Sequence, residues 1–159
     1  MKKRFIVVCL PLVVAGFWSA NADVTKLSSE RWNALQNVSH FHEAHAVTYL
    51  PPPVLALCAD SNGRLAGPGQ KWQVTDAITN DKLPRKRLIW AATDGDYWVV
   101  HYERGRIGHS YHVLVVQLLH GDGKPSFLWR GVGERLKDFP AFVAAVQTNK
   151  LDDTLEYAH

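Results

Sequence analysis

The residues of this chain able to hold a metal or move protons near neutral pH are eight histidines, the glutamates beside them and one internal thiol. The stretch HFHEAH gathers His40, His42 and His45 around Glu43, and DYWVVHYERGRIGHSYHVLVV (96–116) carries His101, His109 and His112 with Glu103 among them. Zinc or copper requires two or three neutral imidazoles converging on one point. In a helix His42 and His45 share a face while His40 points away; in a strand His40 and His42 align and His45 does not. A metal site therefore needs ligands from both regions, His42 and His45 with His101 and His112. The spacing matches no recognised ligand signature.

A histidine beside a glutamate also suits acid–base work, since imidazole titrates near neutrality. Cys58 is the remaining candidate nucleophile for an envelope hydrolase. It follows the apolar VLAL with no helix amino terminus evident to stabilise a thiolate, which reads as a small buried hydrophobe. No serine-hydrolase elbow is present, and HGDGK has the composition of a hairpin turn rather than a phosphate-binding loop.

The compartment is read from the amino terminus. Lys2, Lys3 and Arg4 precede the apolar FIVVCLPLVVAGF, and Ala20 and Ala22 supply the small residues of a signal-peptidase site. Cleavage after Ala22 predicts a signal peptide over 1–22 and a periplasmic chain over 23–159 with no membrane anchor. The apolar run, interrupted by Pro11 and Gly16, is short for a membrane span. The three positive charges leave with the signal, so fifteen Lys and Arg then face fifteen Asp and Glu. That balance argues against nucleic acid as a partner. The basic run RKR (85–87) reads as a solvated strand entrance or as a contact for an anion or acidic partner. A mature chain with Cys58 alone forms no internal disulfide and must be held by its core.

Three parts position these residues. Ser28 or Ser29 caps an amphipathic helix marked by Trp32, Leu35 and Val38, which ends near His40 or runs on to about Tyr49. PPP (51–53) predicts an extended connector. KWQVTDAI, RKRLIWAAT, DYWVVHYER, HSYHVLVVQLL and PSFLWRGV, rich in β-branched and aromatic residues, predict a five-stranded antiparallel meander. A carboxyl-terminal helix over 139–148, capped by Asp138, carries Phe139, Phe142, Val143 and Val146 on one stripe and must bury it on the sheet. The expected fold is a single α+β domain: helix, meander, helix.

Turn lengths decide which residues share a face. A two-residue Asp94-Gly95 turn and a four-residue GRIG loop put Leu88, Trp90, Val99, His101, Glu103, His112, Leu114 and Val116 together, the face assigned to the helices. The other face then holds Ile89, Trp98, Val100, Tyr102, Arg104, His109, Tyr111, Val113 and Val115. An odd second loop would exchange the members of the later strand. Trp98, Tyr102, Arg104, His109 and Tyr111 combine large contact area with polar tips and form the expected partner-binding set. The alternative is that the amino-terminal helix covers one face and the carboxyl-terminal helix the other, or that the sheet curls enough to bury both. Together these features predict an exported protein-binding domain, an inhibitor or immunity-type antagonist of a cell-envelope enzyme. Histidine-based zinc, copper or small-ligand binding and an envelope hydrolase are the alternatives.

Overall fold

The computed structural model describes residues 27–75, 77, 80–105, 108–118 and 124–154. The expected signal segment, the centre of GRIG and most of HGDGK lie outside them. Among the described residues no helix is long and apolar enough to cross a membrane.

The chain forms α1 (Ser29–Leu35), β1 (His42–Ala44), α2 (Pro52–Cys58), β2 (Lys86–Thr93), β3 (Tyr97–Arg104), β4 (Ser110–Leu118), β5 (Pro125–Gly133) and α3 (Phe139–Gln147). The strands make one antiparallel sheet in the order β1-β2-β3-β4-β5, a single α+β unit with α3 packed on the sheet. Ser28 caps α1 by accepting the Arg31 N–H, and Asp138 caps α3 by accepting the Ala141 N–H at 2.9 Å.

Three elements differ from the sequence expectation. α1 stops at Leu35, and after a 3-10 turn over Val38–His40 the chain extends as β1, with Phe41 stacked on Phe139 at 4.3 Å. The histidines of HFHEAH are therefore not helical. PPP starts α2 instead of holding it extended, because the first helical turn uses no internal N–H and tolerates proline there. The described residues of KWQVTDAI, 71–75 and 77, form no strand. The outer edge of β2 is occupied by β1 and by a single bridge from Ala66 to Arg87, and Trp72 and Gln73 are buried as irregular chain.

The registers also shift. Thr93 pairs with Trp98, so the Asp94-Gly95 turn has four residues (94–97), with Asp94 accepting the N–H groups of Asp96 and Tyr97. An even change keeps the expected groupings as far as Trp90. Beyond it the register slips at Ile89, and Leu88 and Lys86 move to the other face. Arg104 pairs with Ser110, leaving a five-residue loop (105–109), so β4 is exchanged: His101 opposes Val113, and Tyr102 opposes His112.

Both faces are consequently apolar and both are covered by the chain. On one, Trp90, Val99, Val113, Val115 and Trp129 meet Leu35 of α1 and Phe139, Phe142 and Val143 of α3. On the other, Leu88, Trp98, Val100, Tyr102, Leu114 and Val116 meet Leu50 and the Val54 and Cys58 stripe of α2. This α2 face is the one expected to await a partner. Trp98, at 8% exposure, and Tyr102, at 3%, are core residues within it.

Gly105, at the start of the β3–β4 loop, lies against the 72–74 segment. A Cβ there would be driven into the carbonyl oxygens of Gln73 and Val74. Gly105→Ala is expected to cost about 1–3 kcal/mol, read as a lower urea midpoint with an unchanged m-value.

Candidate functional site

The polar side chains of the central strands collect at the end of the sheet where β3 leaves and β4 returns. On the α1/α3 face Glu103 is 3% exposed and accepts hydrogen bonds from Arg87 Nε at 2.5 Å and His109 Nε2 at 2.6 Å. Register explains the Arg87 contact, since the two residues are directly opposite. His109 reaches Glu103 from the loop. The Arg87 guanidinium lies 5.1 Å above the Trp72 ring, and the His109 ring lies 5.5 Å from Trp72 and 4.7 Å from Tyr111. A buried carboxylate is costly unless paired, so Glu103 holds both partners in place. An exposed histidine oriented by a buried carboxylate can pass a proton at its surface. The neighbouring Ser110 hydroxyl, however, is engaged by His112 on the opposite face.

His101 is a structural pillar. Its Nδ1 donates to the His112 carbonyl at 2.9 Å, and its Nε2 accepts the Leu136 N–H at 3.0 Å. With both nitrogens committed and no exposure, burial pushes its pKa down to about 4. His112 stacks on Tyr102, with centroids 5.2 Å apart, and shares a 2.8 Å hydrogen bond with Ser110. Burial first, then the charges of Arg104, Arg130 and Lys86, push it down to about 3.

The proposed metal ligands do not come together. His101 and His112 face opposite sides of the sheet, because the odd loop reverses β4. His42 and His45 lie at the β1 edge in a groove of about 480 Å³ with Tyr49, Thr93 and Trp98. His45 pairs with Glu43 at 3.3 Å, and Glu43 accepts the Phe139 N–H at the start of α3. Among the described residues no group of three or more His, Cys, Asp or Glu could hold a metal ion. The expected partner set is divided as well. His109 and Tyr111 remain together at the sheet end, Arg104 is half-buried on the α2 face, and Trp98 and Tyr102 are interior. Trp72 joins the cluster without having been expected as a site residue, and Arg87, from the run offered as an anion or acidic-partner contact, pairs instead with Glu103 of its own chain. The signal for Arg87 was the RKR run, whose adjacent members Lys86 and Arg87 serve opposite faces; Trp72 lay in the run expected as a strand.

Cys58 is buried in α2, and desolvation pushes its thiol up to about 12. It is expected to resist thiol-specific reagents in the native protein and to label fully in urea; rapid native labelling would show the pocket open.

Both buried imidazoles have folded pKa values below the ordinary 6.5, so the unfolded chain takes up protons that the fold refuses. Their contribution is complete above about pH 6.5 and is lost as the pH falls toward 4 for His101 and toward 3 for His112. Between pH 6 and 5 the unfolding free energy is expected to fall by about 1 kcal/mol per pH unit for each ring. A urea midpoint that stays flat across this interval would contradict the burial of both. No protein-family model, curated protein or solved structure matches this chain.

Proposed function

We propose that this is an exported periplasmic binding domain, acting as an antagonist of a cell-envelope protein, and that its contact surface is the end of the sheet at β3–β4. The observation that carries this reading is the arrangement of His109 against both Trp72 and Tyr111, locked from behind by the Glu103–Arg87 pair. Aromatic and histidine side chains held rigid before contact lose little freedom on binding, and such residues concentrate binding energy. The apolar middle of each sheet face is already covered by the chain, which leaves protein recognition to this rim and to the β1 groove. The buried thiol and the internally committed His101 give the hydrolase and metal readings no comparable support.

The test is positional. A photo-reactive residue in place of the exposed Val74, beside the β3–β4 loop, is expected to give a discrete protein adduct in the cells that produce this chain, and the same residue at Glu30 on α1 none. Tyr111→Ala is expected to reduce the Val74 adduct about tenfold without changing the melting temperature greatly. Equal adducts from both positions, or none from Val74, would remove the rim as the contact surface. Mass analysis of the secreted form is expected to show a chain beginning at Asp23.

A further inference from the structure

The α2 face at the same end of the sheet carries a second cluster, chemically unlike the first. Lys86, Arg104 and Ser110 stand directly opposite one another across β2, β3 and β4. Arg130, opposite Leu114 on β5, lies on the same face two rows along, beyond the His112–Val132 pair, with its guanidinium 5.4 Å from the centre of the Phe127 ring. All four side chains belong to half-buried residues, partly removed from water yet reachable from it.

Three cations in this setting would ordinarily be matched by carboxylates. None is matched here: among the described residues no acidic side chain lies within ion-pair distance of Lys86, Arg104 or Arg130. Asp60, the nearest acid to Lys86, already accepts the backbone N–H groups of Asn62, Arg64 and Arg85. Lys86 donates to the Ala59 carbonyl and lies 5.2 Å from the centre of the Tyr102 ring, and Arg130 Nε is buried with no hydrogen-bond partner. The Arg104 side chain makes no hydrogen bond or ion pair among the described residues. The cations repel one another, and Arg104 and Arg130 lower the pKa of Lys86 in addition to its burial. An arrangement that costs stability in the free protein is accounted for if an anion completes it.

We propose that Lys86, Arg104, Arg130 and Ser110 form a binding site for a tetrahedral oxyanion of the phosphoryl or sulfuryl class. A guanidinium and an ammonium directly opposite each other, with a second guanidinium two rows along the same face, suit a multiply charged oxyanion better than a single carboxylate. Ser110 supplies a neutral donor: when its oxygen accepts the Nε2–H of His112, its own O–H is available to the ligand. The site lies on the face opposite the His109–Tyr111 rim, so it stands or falls separately from the protein-contact reading.

The experiment compares the melting temperature of the full chain in inorganic phosphate, sulfate and chloride at matched ionic strength, with Arg104→Gln and Arg130→Gln beside the wild type. Phosphate or sulfate is expected to raise the wild-type value by several degrees over chloride, and each variant to lose most of that rise. In chloride, Arg104→Gln is expected to melt at or above the wild-type temperature, since a repulsive charge has gone and no bond is lost. If Arg130→Gln fails to fold, Arg104→Gln alone carries the test. Vesicles of phosphatidylglycerol, compared with phosphatidylcholine, separate a headgroup phosphoryl from a free ion: retention that Arg104→Gln abolishes assigns the site to a lipid surface. Absence of any response to phosphate, sulfate or phosphatidylglycerol, or a response undiminished in the variants, would overturn the proposal.

Discussion

Burial of the central strands on both sides governs what the rest of this molecule can do. β3 and β4 are sandwiched between α1 and α3 on one side and α2 on the other, so their middle residues are aliphatic or aromatic whichever way they point. Polar side chains can then exist only where the covering helices stop, or where every nitrogen and oxygen is bonded internally. His101 takes the second course, and Glu103, His109, Arg104 and Ser110 take the first. The concentration of charge at one end of the sheet follows from this cover.

The β3–β4 connection distributes that charge. Its five residues place Tyr111 with Glu103 and His101 on one face and His112 with Tyr102 on the other. One residue fewer would have paired His101 with His112, and the two clusters would have had different members. The slip at Ile89 acts similarly on β2, exchanging the faces that Lys86 and Arg87 take, so that Arg87 falls opposite Glu103 and Lys86 opposite Arg104. Arg87 meets a buried acid, whereas Lys86 meets further cations. Local irregularities, and not the strand sequences themselves, thus set the chemistry of each surface.

This explains where sequence reasoning succeeded. The β2 to β5 strands, the Asp138-capped helix and the single α+β domain were legible because alternation, capping residues and short turns are local signals. β1 was not legible: three residues of His-Glu-Ala carry no strand preference and pair only because β2 offers an edge. KWQVTDAI had the composition of a strand but lost that edge to a chain segment closer to the amino terminus. α2 was hidden by its prolines, whose restriction on the preceding residue outweighed their tolerance in a first helical turn. At the site, Glu103, His109 and Tyr111 were recognisable by type, yet their grouping depended on loop parity, which composition does not encode. The double cover of the sheet needed α2, and without it one apolar face looked vacant.

Leu136 is held by the core through both of its backbone polar groups: its N–H bonds to His101 and its C=O accepts the Trp90 indole N–H at 3.0 Å. This connector between β5 and α3 has no regular secondary structure, yet releasing that amide to solvent means withdrawing an imidazole from the centre of the sheet. Its hydrogen–deuterium exchange should therefore be as slow as that of the neighbouring β3 amides, and the segment should open together with them as one cooperative unit.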